Sequence, residues 1–319
     1  MVTSGGQASD VDVVAVRLAR QVGEKAVSWL GTMRTCFRLE RDRPGQDLDN
    51  GALKSLAELA LAGEIIRREA VAGPHCARTA EGLLEFAWRE LDEGEVLYRL
   101  QAGTPAATHP MEMYASFAAT GHRHDGLDRL TTHLHGLRAS RVSEHVPNRR
   151  LAVAAVAAKI GFPLRDDLAA LTGRTWLGGM PEPWMLDLAN AYGLTHTVFH
   201  LTDYGDRPEG LPGPLQGYLH QWLPVWVEVY REIRFWDLLL ELLIVGTCLK
   251  RPLFFPAVWP EVAAAQQADG LMPNGVTTPP ADPQAAWVNH RHPTIVAAIA
   301  GTLTLSRALT RATPGESTS

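Results

Sequence analysis

Residues 50–68 read NGALKSLAELALAGEIIRR, and this stretch decides the fold class. Leu53, Leu56, Leu59, Ala60 and Ile66 recur so as to line one broad face of an α-helix. A half-buried strand would instead alternate at every second residue, and convincing alternation is scarce along the whole chain. The helical rhythm extends outward in both directions. Upstream it covers Val11–Arg34. Downstream it covers Thr79–Leu100, where Leu83, Leu84, Ala87, Leu91 and Leu97 form a comparable stripe.

Further helices are predicted over 110–120, 126–139, 147–159, 166–171, 184–201, 214–249, 262–268 and 293–310. The breaks carry residues suited to them: GPHCARTAEG, Gly161 with Pro163, Gly178-Gly179-Met180-Pro181, and Gly210 through Pro214. Pro224 is expected to bend or divide the long late segment, because a proline removes one helical bond and crowds the preceding turn. Roughly ten or eleven helices with short turns stack naturally as antiparallel hairpins. The expected fold is all-α, a single-domain α/α barrel or toroid over 11–312, with an irregular bundle as the alternative. Residues 1–10 read as a disordered leader and 313–319 as a disordered tail.

Composition narrows the function. Thirty Lys+Arg stand against 35 Asp+Glu, a formal charge of −5, so a broadly basic nucleic-acid surface is not expected, although a local basic patch could survive the average. Apolar residues make up 46% of the chain, enough to fill a substantial core. Cys36, Cys76 and Cys248 form no CxxC pair and no disulfide framework, which fits a reducing cytoplasm. Leu238–Leu249 is strongly apolar, but Glu241 interrupts it and charges precede it, so it reads as a buried helix and not as a transmembrane segment. No GK[ST] follows Gly178-Gly179 and no GxGxxG occurs, so nucleotide-cofactor motifs lack support.

The most informative polar constellation is AYGLTHTVFHLTDYG, residues 191–205. His196, His200 and Asp203 stand at i, i+4 and i+7, close to one helical face, and imidazole with carboxylate suits a divalent metal, iron or zinc. Gly205 is expected to end the helix and let Asp203 turn inward, as a ligand or as the orienter of a ligating histidine. Over an ideal helix His196 and Asp203 lie about 10 Å apart, so two histidines with ligands from elsewhere is the easier geometry. Polar catalysis without metal and a structural polar network are the competing readings. The spacing is HxxxH with no glutamate after His196, so a zincin-type protease is not expected.

His290 and His292 precede Pro293, expected at a helix entrance, and His292 is the leading distant ligand or proton-transfer residue. Glu112 is a candidate general base, with His122 and His124 in the following turn. Asp237 and Glu241 stand four apart and, if buried, need partners or a cation. The Trp222, Trp226, Tyr230 and Trp236 series reads first as core packing. Arg149 and Arg150 read as a solvated helix boundary.

Through THTVFHLTDYG and HRHPTIVAAIAG, roughly the final half of the chain resembles bacterial all-helical α/α-barrel proteins of specialised metabolism. DDxxD and DxDD runs are absent, which argues against class I terpene synthases and class II cyclases. The expectation is a metal-dependent hydrolase, lyase or oxygenase acting on a small, partly apolar metabolite. His196, His200, Asp203 and His292 would hold the metal, and Glu112, Asp203 and His292 would serve catalysis. The alternative is a non-enzymatic helical ligand-binding or scaffold protein. A homo-oligomer is compatible with either.

Overall fold

The computed structural model describes residues 12–39, 50–142 and 144–312. The described residues form fourteen α-helices and no strand. They are α1 (Val13–Thr32), α2 (Asn50–Glu69), α3 (Pro74–Glu90), α4 (Glu95–Gly103), α5 (His109–Ala119), α6 (Asp125–Gly136) and α7 (Ala139–Val142). Then follow α8 (Pro147–Lys159), α9 (Leu168–Gly173), α10 (Leu188–Thr202), α11 (Gly213–Glu232), α12 (Trp236–Cys248), α13 (Trp259–Ala265) and α14 (Pro283–Ala312). The expected disordered leader and tail lie outside the described residues.

The helix contacts trace a closed circuit. α2 packs on α5, α5 on α8, α8 on α10, α10 on α12, α12 on α14, and α14 returns to α2. The remaining contacts branch from this circuit: α1 lies along α14 and α3, α11 packs on α12, and α4 and α9 pack on α5 and α8. One continuous apolar cluster runs through these elements from Ala15 to Leu303. The all-α class holds. The pairing departs from a simple succession of hairpins, since the first and last helices are partners.

That partnership depends above all on Gly301, which crosses Gly23. A Cβ on Gly301 would lie 2.4 Å from the carbonyl oxygen of Ala19 and 2.9 Å from the Cα of Gly23. The backbones of α1 and α14 therefore meet at a distance that no side chain permits.

Several predicted boundaries moved, and three of the shifts have a clear physical reason. The helix expected over Thr79–Leu100 divides at a 3-10 turn, Asp92–Gly94, in which Asp92, Glu93 and Gly94 all take positive φ. A Cβ on Gly94 would lie 2.8 Å from Trp88 and from His124, so glycine there allows two layers to close. Pro224 does not divide the late segment: α11 runs through it, and the break falls at Ile233–Phe235, where Arg234 takes φ 53°. Pro293 likewise does not start its helix. α14 begins at Pro283, and packing against α1, α2 and α12 holds it together through Pro293.

All thirteen residues of α12 are buried, matching the expectation of a buried helix. By length and composition α14 could cross a membrane over Pro283–Arg311, but 78% of its most apolar window is buried within the fold.

Candidate functional site: a chamber beside a buried histidine–carboxylate cluster

A cavity of about 500 Å³ opens between α2, α5, α8 and α10. Its apolar wall includes Leu53, Leu61, Met113, Val156 and Phe199, and its polar wall includes Glu58, Glu112, Arg149, Lys159, His200 and Asp203. The structure thus brings together three of the residues expected from sequence: Glu112, His200 and Asp203.

Each charge on this wall has a partner. Arg149 Nη1 donates to Glu112 Oε2 at 2.7 Å, and Nη2 donates to Thr108 Oγ1 at 2.8 Å. This corrects the reading of Arg149 as a solvated boundary residue. Arg150 also turns back into the protein, pairing with Asp166. Lys159 Nζ lies 2.6 Å from Glu64 Oε1 and 3.0 Å from Asp203 Oδ1. Asp203 caps α10 in the left-handed region, at φ 46°, two residues before the glycine expected to do so. Aspartate tolerates that conformation better than most residues. Its carboxylate does turn inward, but toward the ammonium of Lys159.

His200 faces the cavity, whereas His196, one helical turn earlier, is exposed and is not among the lining residues. Their rings meet edge to face with centroids 5.9 Å apart. Burial, then the neighbouring His196 and the charge of Arg149, push the His200 pKa down to about 3, so at neutral pH the ring is uncharged. His122 and His124 lie elsewhere. His122 packs against Trp88 and Phe117, and the His124 ring accepts from Leu127 N and so caps α6.

The second cluster adjoins the chamber through Glu58. His292 Nδ1 lies 3.2 Å from Glu58 Oε2, and Nε2 lies 3.5 Å from Asp237 Oδ1 and 3.7 Å from Glu241 Oε1. Tyr192 donates to Asp237 Oδ2 at 2.5 Å, and Thr195 donates to Glu241 Oε2 at 2.5 Å. One imidazole therefore stands among three carboxylates carried by α2 and α12. Burial alone would discharge it, but Glu241, Glu58 and Asp237 outweigh that effect and raise its pKa to about 10. Burial raises the Asp237 carboxyl, against the opposing pull of His292 and Tyr192. Burial would raise Glu58 too, but His292 and Lys54 together bring it below its ordinary value.

The requirement that a buried Asp237–Glu241 pair find partners or a cation is met by His292. His292 reaches this position from the middle of α14, not from a helix entrance as expected. Sequence reasoning missed Glu58, Tyr192, Thr195, Glu64 and Lys159. Two of them carried a legible signal: Glu64 and Lys159 are lone charges inside apolar runs, and such charges need each other or a ligand.

Among the described residues, no group of three or more His, Cys, Asp or Glu side chains is placed to hold a metal ion. The four proposed ligands are distributed instead. His196 faces solvent, His200 faces the chamber, Asp203 holds Lys159, and His292 holds carboxylates.

Residues 23–302 match the model of a family described as a domain of unknown function, DUF6895. The chain belongs to that family. No curated protein and no solved structure matches this DUF6895 chain. Its chemistry is therefore read from its own side chains.

Proposed function

We propose that this chain binds a small, partly apolar molecule in the chamber between α2, α5, α8 and α10. The chamber itself carries the reading. Its volume, about 500 Å³, suits a metabolite-sized ligand, and its wall combines an apolar surface with a few convergent polar groups. The paired charges favour a ligand with little net charge, oriented by hydrogen bonds to His200 and to the Arg149–Glu112 pair.

The same geometry supports binding over acid–base catalysis. A histidine working as a proton shuttle near neutrality needs a pKa close to the working pH. Here His200 is pushed down to about 3 and His292 up to about 10, so neither exchanges its proton readily at pH 7. A divalent ion, iron or zinc, at His196 and His200 would need further ligands that the described residues do not place there. The three cysteines are free, which supports a cytoplasmic location.

Native mass spectrometry of the untagged chain, with extraction of any bound molecule, tests the proposal. The chain is expected to carry or take up an organic ligand, and Met113→Trp, which fills the chamber, is expected to lose it while remaining folded. Equal uptake by the folded Met113→Trp variant would sink the reading. Elemental analysis decides the metal question separately: one equivalent of iron or zinc, lost in both His196→Ala and His200→Ala, would replace it with a metalloenzyme.

A further inference from the structure

We infer that the groove where α11, the loop after α12 and the end of α14 meet is an anion site for a phosphate-bearing ligand, distinct from the chamber. It encloses about 370 Å³, and its lining includes His220, Lys250, Arg251, Arg307 and Arg311 and, among the described residues, no acidic one. In a chain with a formal charge of −5, such a concentration of positive charge requires a reason.

Comparison with the chamber sharpens the point. There every lining cation has a carboxylate: Lys54 pairs with Glu58, Arg149 with Glu112, and Lys159 with Glu64 and Asp203. In the groove, Lys250, Arg251 and Arg307 form no ion pair with any described residue. Neighbouring cations repel one another, and an anion with several oxygens removes that repulsion while accepting their N–H groups. Phosphate fits best, because a guanidinium presents paired donors that match two of its oxygens.

The backbone beneath these cations is held in place before any ligand arrives. His220 bridges Gln216 O at 2.7 Å and Arg251 O at 3.0 Å with its two ring nitrogens. Lys250 N donates to Gln216 Oε1 at 3.0 Å, and Leu253 N donates to Gly246 O at 3.0 Å. Arg307 uses Nε alone, donating to Thr247 O at 2.9 Å, and its Nη atoms donate to no described residue. That arrangement fixes the plane of the guanidinium and leaves its outer edge for an anion. The volume leaves room for a small organic group beside the phosphates.

The competing account is that these cations only complement the negative C-terminal ends of α12 and α14. Calorimetric titration of the full chain with inorganic pyrophosphate, at ionic strength matched with chloride, separates the two. Binding is expected, weakened about tenfold or more in Lys250→Gln/Arg251→Gln and in Arg307→Gln. The double variant alters exposed side chains only, so it keeps the test decisive if Arg307→Gln fails to fold. A parallel co-sedimentation with phosphatidylglycerol vesicles identifies the source. Pyrophosphate binding without vesicle binding assigns a soluble phosphorylated compound, and vesicle binding displaced by pyrophosphate assigns a lipid headgroup. Absence of both, or pyrophosphate binding unchanged in the double variant, overturns the site.

Discussion

Lys159 and His292 each reach a glutamate of α2 from another helix, Lys159 from α8 and His292 from α14. Each places one cation among buried carboxylates, Lys159 between Glu64 and Asp203 and His292 among Glu58, Asp237 and Glu241. They differ in two respects. The Lys159 side chain is 13% exposed and the His292 side chain 38%, so water reaches one far more than the other. An ammonium also keeps its charge across the physiological range, whereas an imidazole holds its charge only as long as its neighbours do. The His292 cluster thereby links stability to pH, because the proton its carboxylates hold on the ring in the fold is released on unfolding.

The largest expected effect comes from Lys159→Met, which leaves Glu64 and Asp203 without their cation. Breaking a buried pair in this way costs about 3–5 kcal/mol, so urea denaturation should show a steep loss of stability. Removing the ring in His292→Leu should cost less, because solvent screens part of that cluster. A loss from His292→Leu as large as that from Lys159→Met would break the contrast.

Proton linkage gives the next effect. The His292 pKa is raised when folded, to about 10 against about 6.5 for an unfolded chain. Its contribution to stability is therefore complete below about pH 6.5 and is lost as pH rises through about 10. Melting temperature should fall across that window in the native chain, and the fall should be shallower in His292→Leu. Lys159→Met should keep the native slope. An equal slope in all three would show that His292 is not the responsive group.

Smaller effects test the groups that support the cluster. Tyr192→Phe and Thr195→Val each remove a hydroxyl that donates to a buried carboxylate, at an expected cost of about 1–2 kcal/mol by chemical denaturation. His196→Ala should be the mildest change, within about 0.5 kcal/mol, because its ring lies on the surface. A large loss there would mean that the edge contact with His200 carries more than its exposure suggests.

Helix class and most helix positions were legible because burial imposes a three-to-four-residue rhythm that survives in a single sequence. α8 falls on its predicted range, and α2 ends one residue later than expected. Prolines misled at Pro224 and Pro293, where contacts with neighbouring helices outweigh a missing backbone bond. For the site, local spacing recovered groups that share a helix, such as Asp237 with Glu241 and His196 with His200. It could not report that His292 from α14 inserts beside α12, because that pairing depends on how distant segments pack. Nor could it separate His196 from His200: both occupy the same nominal face, and only the neighbouring helices decide which one meets solvent.

The tight crossing of Gly23 and Gly301 has a consequence for biosynthesis. The face of α1 that carries Gly23 is seated by α14, so that face stays uncovered until α14 has been synthesised, while α3 can cover another part of α1 earlier. Part of its apolar stripe is uncovered during that interval, and closing the crossing joins Gly23 and Gly301 across all the intervening helices.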